Sequence, residues 1–145
     1  MSIQDMIAQL GQGMLTSVLI YALTLIGAVP LALPLALARG GKSKIARLLT
    51  GAYISFMRGT PLMLQLIAVY FGPWYLFRIR ISDGYRFYAV IIAFVLNYAA
   101  YFAEIYRAGI AAVPKGQREA AAVLGYTNAQ AFFRIVLPQV IKHIL

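Results

Sequence analysis

Few side chains in this sequence could do chemistry. The 145 residues include no cysteine, one histidine and four acids, against thirteen Lys and Arg. Without a thiol there is no disulfide framework, no thiol nucleophile and no thiolate metal site. The single histidine, His143, is a poor basis for any other metal site, and no Ser-His, Cys-His or paired-acid arrangement supports catalysis. The sequence therefore predicts no catalytic residue, no metal site and no enzyme activity.

Polar side chains gather on one face of a long apolar stretch near the middle of the chain. Asn97, Tyr101 and Glu104 lie at i, i+4 and i+7, a spacing that places them on one side of a helix. Polar groups at membrane depth usually face a bundle interior or an aqueous cavity. Arg107 follows Glu104 by three residues and offers it an ion-pair partner. The pattern leaves two interpretations for these residues, a substrate path and structural packing.

A second polar group surrounds a predicted helix break. An amphipathic stripe ends at Arg58-Gly59, and Thr60 can cap a new helix with Pro61 at its first position. One helix over residues 44–77 would be about 51 Å long, too long to cross a bilayer upright. Its first part therefore lies along the membrane surface, or the helix breaks at Gly59, where freed amides could hold anionic substrate groups. Thr60 and Gln65 are the lining residues that this predicts, and a simple surface turn is the alternative.

These residues need membrane helices to position them. The chain is 62% hydrophobic and 12% charged, whereas a soluble domain carries about 25% charged residues. Its net charge of +9 does not indicate nucleic-acid binding, because the basic residues punctuate apolar runs instead of sharing one face. Helical spans of about 20 residues fit over residues 13–38, 60–77 and 86–106. The first lacks a basic n-region and is too long for a signal peptide, so a retained helix is predicted.

The basic residues also predict an orientation, because Lys and Arg are enriched in cytoplasmic loops. The stretch before the first span has none. The other loops carry three groups: Arg39, Lys42, Lys44, Arg47 and Arg58; then Arg78, Arg80 and Arg86; then Arg107, Lys115, Arg118 and Arg134. Alternation puts the first and third groups inside and the N-terminus outside the cytoplasm.

Residues 114–137 read as a water-tolerant loop of two short amphipathic helices. The first covers residues 116–124, with Ala120, Val123 and Leu124 on one face and Gly125 as a left-handed C-terminal cap. Thr127 and Gln130 form a capping box for the second, and Pro138 stops that helix or begins the next. Its predicted apolar stripe consists of Ala129, Phe132, Phe133, Val136 and Leu137. The pair either lies on lipid or docks a cytoplasmic partner, with Ala120 and Ala121 allowing close backbone approach.

Gly41-Lys42-Ser43 mimics the end of a phosphate-binding loop. A phosphate-binding loop needs a glycine five positions before Gly41, where this chain has Ala36. A phosphate-binding loop also follows a strand, whereas this segment follows a predicted membrane helix. The segment is predicted to be a basic cytoplasmic turn, and the chain itself is not predicted to bind ATP.

Three ordered motifs resemble a known family. Glu119-Ala120-Ala121, Gly125, Ile135, Leu137 and Pro138 resemble the Glu-Ala-Ala loop of permease subunits of ATP-binding cassette importers. MRGTPLMLQL (57–66) and NYAAYFAEIYRAGIAAVPKGQREAA (97–121) are similar to the polar amino-acid uptake permeases. The resemblance covers nearly the whole chain.

The resemblance implies an all-α integral membrane protein with three transmembrane helices plus a cytoplasmic coupling-helix loop, part of a five-helix type I importer permease fold. It implies the membrane-spanning subunit of an ATP-driven amino-acid importer in the bacterial inner membrane, with no cofactor of its own because a partner subunit binds ATP. That cytoplasmic ATPase would dock at Glu119, Ala120, Ala121 and Gly125. The further partners implied are a second permease subunit, identical or homologous, an extracytoplasmic solute-binding protein and membrane lipid.

The chain stops soon after this loop, whereas members of that family continue with two more transmembrane helices. Residues 1–145 are therefore predicted to be a permease domain truncated at its C-terminus. A small membrane channel or a membrane scaffold subunit is the alternative function, and a channel would not need an ATPase-docking loop.

Overall fold

The computed structural model describes the backbone of residues 2–82 and 84–144, and side chains as far as residue 142. Every regular element within these residues is helical, which confirms the predicted all-α class. The elements are α1 (Ile3–Gly40), α2 (Lys44–Gly59), α3 (Leu62–Phe77), α4 (Tyr85–Ala112), α5 (Lys115–Val123), α6 (Asn128–Ala131), a π-helical turn (Phe132–Val136) and α7 (Leu137–Ile144).

Two of these helices, α1 with 38 residues and α4 with 28, are long and apolar enough to cross a membrane. Helices α2 and α3 have 16 residues each, about 24 Å apiece, and a hydrocarbon core is about 30 Å thick. They qualify only as a pair, and their axes bend by 108° at the break between them. A third span thus exists only if this pair makes one crossing, and the bounds 13–38, 60–77 and 86–106 stay predictions.

Helices α1 and α4 share the most extensive contact in the molecule. The seam is made of small side chains, which let two backbones approach closely without a hydrophobic driving force between them. Ala32 and Ala36 of α1 are buried in one cluster with Ala100 and Ala103 of α4. Gly27 fits the same seam, because a Cβ there would lie 2.8 Å from a methyl carbon of Val95.

Helix α2 lies against this seam by one face. Ile54 is buried with Ala32, Ala36, Ala100 and Ala103, and the Tyr53 hydroxyl donates a 2.6 Å hydrogen bond to the Leu96 carbonyl of α4. The amphipathic stripe that the sequence predicts before Arg58-Gly59 is on the other side, and all its members are exposed: Ile45, Leu48, Leu49, Ala52 and Phe56. The same short helix therefore presents one face to the bundle and one apolar face away from it.

The start of α3 differs from the prediction that Thr60 caps it. The N-cap is Pro61, the helix begins at Leu62, and no side chain caps it by a hydrogen bond. Thr60 is instead the C-cap of α2, and its hydroxyl donates to the Phe56 carbonyl at 2.8 Å. A threonine hydroxyl can satisfy either helix end, and here the carbonyl four residues back is within reach.

The apolar stripe predicted after Thr127 is wrong in part. Ala129 and Phe133 are exposed, whereas Ala131, Val136 and Val140 are buried. From Phe133 onward the cause is the π-helical turn at Phe132–Val136, where the Leu137 amide bonds to the Phe132 carbonyl five residues back. Ala129 precedes this turn, in α6. A π turn holds an extra residue and rotates all later side chains. It also explains how the helix passes Pro138, which lacks an amide and would crowd the carbonyl four residues earlier.

Candidate functional site

The helix break between α2 and α3 is surrounded by a buried network of amides. Asn97 of α4 is 4% exposed and Gln65 of α3 is 8% exposed. Asn97 Nδ2 donates to Gln65 Oε1 at 2.9 Å and to the Met57 carbonyl at 3.2 Å. Gln65 Nε2 lies within hydrogen-bond distance of the Met57 carbonyl (2.9 Å) and of the Thr60 carbonyl (3.1 Å) and hydroxyl (2.7 Å). Three predicted path residues, Thr60, Gln65 and Asn97, are thus brought together.

This network satisfies the carbonyls left without helical partners at the C-terminal end of α2. The last carbonyls of any helix lack an amide four residues on, and inside a bundle they need other donors. Met57 and Thr60 obtain these donors from Asn97 and Gln65. The side-chain amides of Asn97 and Gln65 therefore stabilise the helix break. Lining a substrate path would not require these hydrogen bonds, so they indicate a structural role.

A cavity of about 420 Å³, here called the break cavity, opens beside the network. Its lining residues are Arg39, Ile54, Ser55, Arg58, Gly59, Tyr101 and Glu104. The Arg58 guanidinium carbon lies 5.4 Å from the centre of the Tyr101 ring, a cation–π distance. The cavity holds positive charge and the carboxylate of Glu104 within one small volume, so both charges of a zwitterion would find a counter-charge there.

Glu104 also has the partner that the sequence predicted. Arg107 Nε donates to Glu104 Oε1 at 2.7 Å, and the same carboxylate oxygen forms an ion pair with Arg107 Nη2. The side chain of Glu104 is 26% exposed and that of Arg107 is 41% exposed. Glu104 lines the break cavity and Arg107 does not, so the partly exposed carboxylate can face the cavity while it pairs with Arg107.

The sequence reasoning missed the cationic members of the break cavity. The charge pattern predicts only loop positions for Arg58 and Arg39, although Arg58 stands directly before the Gly59-Thr60-Pro61 break. That adjacency was a usable signal. Arg39 had no such signal, because its position depends on Gly51, where even a Cβ would collide with its guanidinium.

The loop after α4 contains a well-formed helix end. The Gly125 amide bonds to the Ala122 carbonyl and the Tyr126 amide to the Ala121 carbonyl, each at 3.0 Å, which is the Schellman pattern. Gly125 has φ +79°, and the capping box of Thr127 and Gln130 is complete, with both reciprocal hydrogen bonds. Both caps were predicted from the sequence and are confirmed.

The four predicted docking residues do not all face the same way. Glu119, Ala120 and Gly125 are exposed, together with Val123 and Leu124, whereas Ala121 is 1% exposed and packs inward. The outward face of α5 is therefore small, partly apolar and exposed. Contact of that face with an ATPase stays a prediction.

These features define a multi-pass α-helical membrane protein with a charged cavity at a helix break and a capped helix pair following its last long helix. The chain belongs to the family described as binding-protein-dependent transport system inner membrane component, whose model matches residues 28–145. Members of this family are inner-membrane components of transport systems that depend on a binding protein.

Known relatives agree with that assignment. The chain is 46% identical over 123 residues to the L-cystine transport system permease protein TcyL of Bacillus subtilis, covering 83% of this chain and 52% of TcyL. It is 48% identical over 92 residues to the arginine transport system permease protein ArtQ of the same organism, covering 63% of this chain and 41% of ArtQ. The chain thus spans about half the length of the curated relatives that it matches.

A solved structure shares the fold. The crystal structure of an amino acid ABC transporter with histidines matches with a TM-score of 0.78 and 36% identity, over 99% of this chain and 67% of that chain. The predicted permease fold is therefore confirmed for the part of the chain that the structure describes.

Proposed function

We propose that this chain belongs to the membrane-spanning subunit of an ATP-driven amino-acid importer. The observation that carries the proposal is the break cavity, whose size and paired charges suit the ammonium and carboxylate of an amino acid. Family membership and the names of the relatives, which include permeases for L-cystine and arginine, support the same class of substrate.

The partners follow from the same proposal. A cytoplasmic subunit binds and hydrolyses ATP and docks on the outward face of α5, around Glu119, Ala120 and Gly125, so the permease needs no cofactor of its own. A second permease subunit completes the path, and an extracytoplasmic solute-binding protein delivers the substrate. The N-terminus lies outside the cytoplasm, and residues 114–137 form the cytoplasmic coupling loop.

Reconstituted transport tests this function against a channel. The permease would be purified with its ATPase, placed in liposomes with the binding protein, and supplied with radiolabelled amino acids. We expect accumulation above the external concentration with ATP enclosed on the ATPase side, and none with a non-hydrolysable analogue. Equal uptake with and without ATP, ending at equal concentrations, would identify a channel instead.

A docking variant then links the loop to this activity. Glu119→Lys reverses a charge on the exposed face of α5 and should lower both ATPase co-purification and substrate-stimulated ATP hydrolysis. Asn128→Ser, exposed on α6, is the control and should leave both measurements unchanged. Normal values for both variants would assign α5 and α6 to the lipid surface.

A further inference from the structure

A second cavity, of about 450 Å³, lies where α1 and α4 end and α5 begins. Four cations line it, Arg39, Arg107, Lys115 and Arg118, and no acid does. We call it the basic cavity. The rest of its lining is almost entirely apolar, with Leu37, Ile110, Val113 and Phe132 among the members.

Most of this positive charge is uncompensated within the described part of the chain. Glu104 pairs with Arg107, the single ion pair found there. Arg39 and Arg118 donate to backbone carbonyls, those of Arg47 at 3.2 Å and Ile110 at 3.4 Å, which fixes the side chains without removing their charge. Lys42 adds a further cation in a neighbouring cavity that shares Arg118 and Phe132.

Helix electrostatics do not account for this arrangement. Arg39 is in the last turn of α1, where a cation is favourable. Lys115 and Arg118, however, occupy the first turn of α5, which carries no acid and no side-chain cap. A cation is unfavourable at the N-terminal end of a helix. A bound anion would offset the repulsion of Lys115 and Arg118 there.

The position and lining of the cavity specify the kind of anion. Helices α1 and α4 are the two described helices that are long and apolar enough to cross a membrane. We therefore place the end that they share near the level where hydrocarbon gives way to water. A free phosphate would need the cations but not the apolar floor, whereas a phospholipid uses both. Basic pockets between membrane helices are typical sites for anionic headgroups.

We propose that the basic cavity binds one anionic phospholipid, with the phosphate between Arg39, Lys115 and Arg118 and an acyl chain along Leu37 and Ile110. The lipid connects the end of α1 to the start of α5 and so fixes the coupling loop against the bundle. This inference needs only the fold and its membrane location, and it is independent of which solute is carried.

Native mass spectrometry of the purified permease can measure this binding. The probes are phosphatidylglycerol, the zwitterionic phosphatidylcholine and inorganic phosphate, each titrated separately. We expect saturable binding of one phosphatidylglycerol, much weaker binding of phosphatidylcholine and no saturable phosphate adduct. Equal binding of the two lipids, or phosphate binding as tight as that of the lipid, would overturn the proposal.

Variants assign the lipid to the cavity. Lys115→Gln with Arg118→Gln should weaken phosphatidylglycerol binding by about thirtyfold, since each Lys or Arg near an anionic surface contributes about 1 kcal/mol and about 1.4 kcal/mol is tenfold in affinity. Arg78→Gln with Arg80→Gln removes the same charge after α3 and should leave that affinity unchanged. Lys115→Arg with Arg118→Lys keeps the charge and should keep the affinity, which separates lost binding from lost folding.

Two further outcomes would contradict the assignment. Equal weakening by both neutralised pairs would mean diffuse attraction to the net charge. Unchanged lipid affinity with loss of ATPase co-purification in the Lys115/Arg118 pair would assign these cations to the ATPase surface.

Discussion

Asn97 and Gln65 are buried amides whose partners are each other, the backbone at the end of α2 and the Thr60 hydroxyl. A buried amide that loses one partner costs about 1–3 kcal/mol, whereas removing both partners together costs much less than the sum. The two residues should therefore behave as a unit, which distinguishes a structural network from two independent contacts with a solute.

A double-mutant cycle tests that coupling. Asn97→Leu and Gln65→Leu should each lower the thermal midpoint of the purified permease, and the double variant should lower it by clearly less than the sum of the two shifts. Uptake per assembled complex should fall in both single variants, because the break also shapes the break cavity. Asn128→Leu on the exposed start of α6 serves as control. Additive shifts would show that the two amides act separately.

Glu104 poses a different question at the same scale, since it has both an ion-pair partner and an open face toward the break cavity. If Glu104 served mainly to pair with Arg107, Glu104→Gln and Arg107→Gln would change the apparent KM for uptake by similar, small factors. A half-exposed ion pair contributes only about 0–1 kcal/mol to stability. We expect instead that Glu104→Gln raises the apparent KM for uptake about tenfold, while Arg107→Gln changes it less than about threefold. Equal KM values for the two variants would return Glu104 to a purely structural role.

Among the elements, the helix ends around residues 115–131 were predictable and the register that follows was not. Gly125 and the Thr127–Gln130 box are local signals that act within a few residues of each other. The π-helical turn shifts Val136 and Val140 onto a surface formed by Val113, Tyr106 and Ile110 of other segments. Periodicity inside one helix cannot report such a distant surface, so the predicted stripe was wrong at Phe133.

The candidate site also has a part that the sequence predicts and a part that it does not. The face of Asn97, Tyr101 and Glu104 was visible from their spacing, because all three lie in α4. The contact of Asn97 with Gln65 joins residues 32 positions apart, and the placement of Arg39 depends on a close approach to Gly51. Both depend on how helices pack, which the sequence indicates only through its small residues.

The cap at Gly125 allows a controlled test of the loop. Gly125→Val forces a β-branched residue to φ +79°, a conformation that costs about 1–2 kcal/mol for an L residue. Gly116→Val adds the same side chain at a helical position, and a Cβ at either glycine meets nothing within 4 Å. We expect ATPase co-purification to fall sharply for Gly125→Val and little for Gly116→Val. Equal retention in both would show that the turn geometry is not needed for docking.

At the scale of the whole molecule, the relative direction of α1 and α4 determines whether the chain between them, α2 and α3, must cross the membrane. Gly27 lies against Val95, and Ala36 clusters with Ala103, so both helices run in the same direction. Gly40 at the end of α1 and Val113 just after α4 line one cavity. The chain must therefore return between them, and we infer that the bent pair α2–α3 makes that return as one crossing.

Cysteine labelling tests both that crossing and the orientation, since the sequence has no native cysteine. Ser82 follows α3 and Gly116 is in the first turn of α5; both are exposed. The excess of Lys and Arg at the Gly116 end predicts that this end is cytoplasmic. In right-side-out spheroplasts, Ser82→Cys should react with a membrane-impermeant maleimide at once, and Gly116→Cys only after lysis. The reverse order would invert the protein in the membrane, and reaction of both before lysis would mean that α4 does not cross it.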